Sequence, residues 1–304
     1  MRRFASLFVL ILPVLAYAQA PSAGVAQFGT DRFVEYAPGD LPIVLTSPHG
    51  GDLTPKTIPD RTVGVTDRDF NSLALARAIV DALQKATGQR PHLIASHLHR
   101  RKLDPNREIK EAAAGDPAAE RTWREFHAFI EAATRGAAKR HGFAFLIDIH
   151  GHAHPQPRLE LGYGLNGVQL NQSDAAFDKS DFATLSSLRD LHARLGGSGA
   201  DLIRGPRSLG TLFTERGIRA VPSAKEPGPG PGPFFSGGYI VHTHAGAPAT
   251  ARIDGVQFEA WRIGVRDTEE NRARFAAVTA EVLAIFLRER YNYVFPKPAG
   301  AGKP

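Results

Sequence analysis

The residues best suited to chemistry in this chain are histidines and carboxylates, and the densest group of them lies in Asp148-Ile149-His150-Gly151-His152-Ala153-His154. In an extended backbone, alternate side chains point to the same side, so the carboxylate and the imidazoles can form one row. Neutral imidazole is the commonest protein ligand for zinc, and a carboxylate behind it can fix its tautomer. The spacing therefore favours a metal site; the alternative is a set of surface histidines in a turn.

Another histidine lies on a glycine-rich turn, in Ser47-Pro48-His49-Gly50-Gly51. Glycines let the backbone approach a ligand closely, although an ordinary turn has the same composition. A carboxylate ligand can come from Asp52, three residues after the histidine, or from Asp67, just before a predicted helix. Asp67 or Asp69 can instead cap that helix, which is the commoner role for aspartate there. Spacing alone leaves these alternatives open.

Glu259 lies in Val256-Gln257-Phe258-Glu259-Ala260-Trp261, which has a strand pattern. A carboxylate inside so apolar a strand is costly to desolvate and needs a partner or a task. General acid and base work on a metal-activated water is such a task. The alternative is an edge strand that leaves Glu259 in water.

Arg100 and the segment Leu103-Asp104-Pro105-Asn106-Arg107 carry hydrogen-bond donors. Guanidinium groups can grip a carboxylate through two parallel hydrogen bonds, and the Asn106 amide adds a further donor. These residues are candidates for binding an acidic substrate. A solvated basic loop is the alternative, because runs of charge are usually exposed.

The candidate residues follow or end short apolar runs, which alternate with longer helical patterns. The unbroken apolar run over residues 143–147 predicts a strand that is covered on both faces. The fold class is therefore α/β, with a mixed, mostly parallel sheet and helices on both faces, and the candidates should converge beyond the carboxyl ends of the strands. Strands are predicted over 41–46, 92–97, 143–149, 238–241 and 255–261, helices over 69–86, 118–141, 180–195 and 268–290, and a loop over 225–238.

The ends of the chain differ in composition from the rest. Residues 1–18 have a basic start, a short apolar run and a small-x-small site, which predicts a cleaved signal peptide and an exported, periplasmic or secreted protein. A single catalytic α/β domain is predicted over 19–295, and a disordered tail over 296–304. No other stretch is long and apolar enough to span a bilayer, so no stable membrane association is expected after cleavage.

Composition narrows the possible partners and cofactors. The chain has no cysteine, so a metal must be held by nitrogen and oxygen ligands. The formal net charge is +6, but the basic residues are scattered and form no aromatic-studded stripe, which disfavours a nucleic-acid partner. A mildly positive surface suits a small anionic substrate.

Taken in order, these motifs resemble the N-formylglutamate amidohydrolase family, which is related in fold to zinc carboxypeptidases and to the aspartoacylase and succinylglutamate desuccinylase group. The matching segments extend over most of the mature chain, and their order carries the resemblance more than any single motif. They are Ser47-Pro48-His49-Gly50-Gly51, Thr66-Asp67, Asp104-Pro105-Asn106-Arg107, Asp148-Ile149-His150, Gly237-Gly238-Tyr239-Ile240 and Val256-Gln257-Phe258-Glu259-Ala260-Trp261-Arg262.

The resemblance implies a zinc-dependent amidohydrolase that cleaves the amide bond of an N-acyl amino acid. It implies one Zn²⁺ held by His49, Asp67 and His150, with Asp52 as the alternative to Asp67; nitrogen and oxygen ligands also accept other divalent metals. Glu259 is then the general base and acid. The residues implied to bind the substrate are Arg100, Asn106, Arg107 and His242, the last where family members carry an arginine-histidine pair.

Other functions fit parts of the same pattern. The predicted export favours a zinc peptidase or amidase that acts on peptide or cell-wall fragments. A non-catalytic exported protein is also conceivable, which would bind zinc through His150, His152 and His154. A further possibility is a non-catalytic protein that binds acidic ligands through Asn106 and Arg107.

Overall fold

The computed structural model describes residues 23–246 and 252–298, in which a mixed eight-stranded sheet has the order β1-β2-β4-β3-β5-β8-β6-β7. Strands β4, β3, β5 and β8 are parallel at its centre. On one side, β2 is antiparallel to β4 and β1 to β2; on the other, β6 is antiparallel to β8 and parallel to β7. The strands are β1 (Gln27–Phe28), β2 (Val34–Ala37), β3 (Ile43–Ser47), β4 (His92–Ser96), β5 (Ala144–His152), β6 (Leu159–Gly162), β7 (Ala220–Val221) and β8 (Ile253–Trp261).

The long helices begin and end at residues suited to those positions. In α3, Asp116 accepts hydrogen bonds from the backbone N–H groups of Ala118 and Ala119, and the helix stops at Gly142, whose φ is +81°. The helices are α1 (Ser72–Thr87), α2 (Ile109–Ala113), α3 (Pro117–His141), α4 (Gly167–Leu170), α5 (Asp174–Asp178), α6 (Phe182–Leu185), α7 (Arg189–Leu195), α8 (Gly199–Arg204), α9 (Leu209–Glu215), α10 (Tyr239–His244) and α11 (Glu269–Tyr291).

The central strands are buried on both faces. Leu45 of β3 and Phe145 of β5 belong to the core that packs against α1 and α11. Residues adjacent to these two along the strands point to the other face, where Val44 and Leu146 pack with Phe126 of α3. All five side chains are fully buried, and each contributes about 1.5–3 kcal/mol by leaving water. The prediction of a mostly parallel sheet with helices on both faces is confirmed.

Four of the five predicted strands match β3, β4, β5 and β8 within a few residues. The fifth, over 238–241, is wrong, because residues 239–241 lie in α10 and Gly238 is its N-cap. The backbone N–H of Ile240 donates to the Asn106 side chain at 2.8 Å, so it does not join a strand ladder. The predicted helix over 180–195 is divided between α6 and α7, since Ser187 turns to bond the Gly255 carbonyl at 2.6 Å.

Strands β1, β2, β6 and β7, which have only two to four residues each, were not predicted, and neither were the short helices α2, α4, α5, α8 and α9. The segment 225–238 contains neither helix nor strand, as predicted. The signal-peptide prediction and most of the predicted tail lie outside the described residues. Within the described ranges, no helix is both long and apolar enough to cross a membrane.

Candidate active site

A cleft of about 530 Å³ lies beyond the carboxyl ends of β3, β5 and β8. Residues from six separated parts of the chain line it: the turn after β3, the segment 65–69 before α1, the segment 100–107, the end of β5, the loop before α10 and strand β8. Parallel strands present their carboxyl ends at one edge of the sheet, so distant segments meet there. The predicted convergence of His49, His150 and Glu259 is therefore found in the structure.

Three buried side chains at the base of this cleft point their ligand atoms toward one another. Nδ1 of His150 lies 3.1 Å from Oδ2 of Asp69, and Nδ1 of His49 lies 3.4 Å from the same oxygen. The ligand atoms of the three residues all lie within 4.8 Å of one another. Two imidazole nitrogens and one carboxylate oxygen are a donor set that divalent transition metals accept.

A carboxylate behind each histidine fixes which nitrogen faces the centre. Nε2 of His49 is 2.6 Å from Asp104 Oδ1, and Nε2 of His150 is 2.7 Å from Asp148 Oδ2. Since a carboxylate only accepts, Nε2 of each ring donates to the carboxylate behind it, and Nδ1 of His49 keeps its lone pair. Nδ1 of His150 faces Asp69 Oδ2 at 3.1 Å, where either a proton or a metal ion can lie between the two atoms. Nδ1 of His49 is buried and has no hydrogen-bond partner, which is costly unless a cation completes it. The residues present therefore fit a metal ion.

The structure places Asp69 where the sequence analysis expected Asp67 or Asp52. The Asp69 backbone N–H donates to the carbonyl of His49 at 3.0 Å, and the Gly151 N–H donates to Asp69 Oδ2 at 3.1 Å. Asp67 lines the cleft but is not in this group. The Asp52 side chain is 76% exposed and lies 3.9 Å from Arg68. The carboxylate of the trio is therefore Asp69, and the predictions of Asp67 and of Asp52 at this position are corrected.

The helix start explains why Asp69 is available. α1 begins only at Ser72, after Asn71 in the left-handed region with a φ of +61°, and Asp69 contributes its backbone carbonyl to the Ser72 N–H at 3.0 Å. Its carboxylate is not used as a cap. The observed arrangement differs from the predicted alternatives, which were Asp52 or Asp67 as the carboxylate of the group and Asp67 or Asp69 as a helix cap.

The electrostatics of the trio favour a positive charge at its centre. Burial by itself raises the pKa of Asp69, but His49 and His150 outweigh it and hold that pKa well below the usual range. Burial would lower the pKa of His150, yet Asp148 and Asp69 hold it well above its ordinary value. A proton or a metal ion can supply the charge that these carboxylates demand.

Glu259 lies beside the trio because β8 pairs with β5 in a register that sets Glu259 opposite His150. The side chain is only 4% exposed. Its Oε1 accepts a hydrogen bond from Gln257 Nε2 at 2.8 Å, while Oε2 is buried without a partner. Burial, with help from Asp69, raises the pKa of Glu259 to about 8. A buried carboxyl group that can hold a proton near neutral pH is suited to general acid and base work.

The residues predicted to bind substrate have different surroundings. Arg100 lines the cleft but is held by carboxylates, with Nε donating to Asp104 at 2.9 Å and Nη1 lying 3.5 Å from Asp69. The Arg107 side chain is 35% exposed in the cleft and pairs with Glu111 at 3.3 Å. Arg107 is therefore the more accessible cation of the two.

Asn106 and His242 depart from the simple expectation of substrate contact. Asn106 is buried in the cleft wall, where its amide accepts from the Ile240 N–H and donates to Gln257 Oε1 at 3.3 Å. Asn106 therefore lines the cleft and also holds the first turn of α10 in place. His242 is exposed on α10 with its ring against Gly164, and the structure does not bring it among the cleft residues.

A second group of ionisable residues lies in the same cleft wall, formed by His152, His154 and Glu160. Glu160 is on β6, opposite Glu259 in the antiparallel register. His150, His152 and His154 were predicted together as one possible zinc site. The structure divides them, with His150 in the trio and the other two beside Glu160.

Gln257 and Glu160 were not predicted as site residues. Asp104 was named only as part of a motif, with no role of its own. Gln257 had a usable signal, since it lies two residues before Glu259 and side chains at that spacing share one face of a strand. Glu160 had little signal, because β6 has only four residues.

No protein-family model and no curated protein matches this chain. Among solved structures, the chain is similar to an N-formylglutamate amidohydrolase from Ralstonia eutropha JMP134, with 16% identity and a TM-score of 0.48 over 85% of this chain and 97% of that one. It is also similar to a gene product of Agrobacterium tumefaciens, with 13% identity and a TM-score of 0.49 over 84% and 94%. The first bears the name of the family that the motifs resemble.

Proposed function

We propose that this chain is an exported, zinc-dependent hydrolase that cleaves the amide bond of a small, anionic N-acyl amino acid. The observation that carries the proposal is the buried trio of His49, Asp69 and His150 with Glu259 beside it on the neighbouring strand. Export rests on the composition of residues 1–18.

The donor atoms assigned to the metal are Nδ1 of His49, Nδ1 of His150 and a carboxylate oxygen of Asp69. A divalent cation bound there would supply Lewis-acid chemistry, polarising a carbonyl and making a water more acidic. Asp104 and Asp148 keep the two Nδ1 lone pairs directed at it. The protein would then supply two histidines and one carboxylate as ligands, a set that leaves room for substrate.

Glu259 is assigned the proton transfers. The side chain lines the cleft opposite His150 and its Oε2 has no partner, so it can take a proton from the attacking water and deliver it to the departing amine. Gln257 fixes the other oxygen and so orients the carboxyl group. Because one buried group serves in both steps, no further acid is required near the scissile bond.

The character of the cleft supports a small anionic substrate. Its volume is within the range of small-molecule sites, about 300–1,000 Å³. The side chains of Arg68 and Arg107 line it and are partly exposed, at 33% and 35%. A guanidinium that is reachable in a cleft can bind a carboxylate through two parallel hydrogen bonds, so Arg107 with Arg68 is assigned to the acid groups of the substrate.

The test is hydrolysis by the purified mature protein, loaded with Zn²⁺, of N-formyl, N-acetyl and N-succinyl derivatives of glutamate and aspartate, next to short peptides and cell-wall fragments. Turnover of one or more N-acyl amino acids that is lost on chelation and restored by Zn²⁺ is the expected result. Cleavage of peptides alone would replace the proposal with a metallopeptidase. Binding of metal without any turnover would indicate a non-catalytic metal-binding protein.

A further inference from the structure

His154 is held in a fixed orientation in the cleft wall, and the proposed chemistry gives it no task. Its Nδ1 lies 3.1 Å from Oε1 of the fully buried Glu160. Its ring stacks on Phe235, with centroids 4.6 Å apart and planes 24° from parallel. The side chain is 17% exposed and lines the cleft. An exposed histidine in a turn needs none of these constraints.

The support for His154 extends to its neighbours. The His154 backbone N–H donates to His152 Nδ1 at 3.2 Å, and His152 Nε2 in turn donates to the Arg158 carbonyl at 2.8 Å. The Phe235 N–H donates to the other oxygen of Glu160 at 2.9 Å. Three contacts therefore fix His154: its backbone N–H bonds His152, its ring stacks on Phe235, and its Nδ1 bonds Glu160.

This second group is a poor metal site despite its composition. Both nitrogens of His152 have protein partners, and Nδ1 of His154 faces Glu160. The Arg158 guanidinium lies 3.4 Å from the Glu160 oxygen that a cation would need. His49 Nδ1 in the trio has no such partner. The arrangement holds an imidazole for hydrogen bonding instead.

The tautomer of His154 determines what it can bind. A carboxylate only accepts, so Nδ1 carries the proton that points at Glu160. The lone pair of the neutral ring is then on Nε2, for which residues 23–246 and 252–298 offer no hydrogen-bond partner. Nε2 is therefore an acceptor on the edge of the ring turned away from Glu160.

The position of His154 relates it to the reacting bond. Glu160 is opposite Glu259 on adjacent antiparallel strands, where paired Cα atoms are about 4.5–5.5 Å apart. The imidazole bonded to Glu160 is thus one side chain away from the group assigned to protonate the leaving amine. An N-acyl amino acid has one amide N–H, and it belongs to that same nitrogen.

We propose that His154 is a substrate-binding residue whose Nε2 accepts a hydrogen bond from the N–H of the scissile amide, with Glu160 as the positioning residue behind it. The inference deepens the proposed function and rests on it for the identity of the substrate. It predicts a preference for secondary amides over esters of the same shape.

The test compares N-formyl-L-glutamate with the matching O-formyl hydroxy acid, in which an ester oxygen replaces the N–H. Binding of both is measured by calorimetry in the Zn²⁺-loaded Glu259→Gln protein, with and without His154→Phe. We expect His154→Phe to weaken amide binding about three- to tenfold, the worth of one hydrogen bond, and to change ester binding by less than about twofold. In the protein that retains Glu259, the same substitution raises KM for the amide.

His192→Phe is the matched control, since His192 lies on α7 outside the cleft, and it should change neither ligand's affinity. Glu160→Gln should reproduce a smaller form of the His154 effect, provided circular dichroism shows native folding. Equal losses for amide and ester, no loss for either, or failure of both to bind would overturn the inference. A fall from two bound Zn²⁺ to one in His154→Phe would also overturn it. Binding that follows the prediction in a protein without hydrolysis would leave the His154 contact supported and contradict the proposed function.

Discussion

Two groups of histidine and carboxylate share one cleft, and they differ in what their polar atoms face. In the trio of His49, Asp69 and His150, carboxylates hold the outer nitrogens and the inner ones converge on one oxygen. In the second group, His152 bonds backbone at both nitrogens, and Arg158 lies beside the carboxylate of Glu160. Similar residue types therefore give one site that demands a cation and a second in which both nitrogens of His152 and Nδ1 of His154 already have protein partners.

The difference shows that ligand composition alone does not identify a metal site. Both groups have ligand atoms within 4.8 Å of one another. One difference is the partner of each lone pair, because a buried lone pair without a partner is costly. The other is which carboxylate oxygen the neighbouring guanidinium takes: Arg158 lies at the Glu160 oxygen that His154 faces, whereas Arg100 lies at Oδ1 of Asp69 and leaves Oδ2 to the two histidines. The following predictions test that distinction.

The largest effect is expected from Asp69→Asn. It removes the charged oxygen shared by both histidines, so bound Zn²⁺ should fall from about one per chain to near zero and turnover to background. Metal content by mass spectrometry and initial rates measure this. Asp67→Asn is the matched control, and it should keep its metal. Loss of metal in the Asp67 variant, with retention in the Asp69 variant, would restore the ligand expected from the sequence.

Glu259→Gln should leave the trio intact and remove the proton transfer. Because the amide cannot act as a base, we expect turnover to fall by about 10²–10⁴-fold while bound Zn²⁺ and the thermal midpoint stay close to wild type. Rates under saturating substrate, with metal analysis of the same sample, provide the check. A variant that keeps wild-type activity would remove Glu259 from the mechanism.

The carboxylates behind the histidines should have an intermediate effect. Asp148→Asn weakens the hold on Nε2 of His150, and we expect Zn²⁺ affinity to fall by about 10–100-fold. Competition with a chromophoric chelator measures the affinity. Glu160→Gln makes the equivalent change in the second group and should leave Zn²⁺ affinity unchanged, so equal losses in the two variants would contradict the contrast between the groups.

The smallest effect is expected from a change of one pH unit. Burial would lower the pKa of His150, but Asp148 and Asp69 hold it well above its ordinary value in the metal-free protein, whereas burial lowers the pKa of His152. Proton and Zn²⁺ compete for Nδ1 of His150, so apparent Zn²⁺ affinity should decrease about tenfold for each pH unit of acidification below that pKa. Chelator competition between about pH 6 and pH 8 measures the slope. A flat profile would mean that His150 is not a ligand.

Much of the fold could be predicted from the sequence because the central strands are apolar on both faces. The runs that form β3, β5 and β8 place His49, His150 and Glu259 at one edge of the sheet, and this follows from the behaviour of parallel strands. The secondary structure around α10 could not be predicted. Whether Ile240 joins a strand or a helix depends on Asn106, which is distant in sequence and takes its N–H.

The local sequence pattern could not identify the carboxylate ligand, for a similar reason. Asp67 and Asp69 flank one residue, and both suit the start of a helix. The choice is made by the bond from the Asp69 N–H to the His49 carbonyl, between residues twenty positions apart, and by the left-handed Asn71 that delays the helix. Tertiary contacts of this kind leave no periodic signal.

Anomalous diffraction from crystals of the Zn²⁺-loaded protein tests the central claim most directly. We predict one zinc peak, bonded to Nδ1 of His49, Nδ1 of His150 and a carboxylate oxygen of Asp69 at about 2.0–2.2 Å, with His154 still bonded to Glu160. A zinc peak between His152, His154 and Glu160, with none at the trio, would contradict the account.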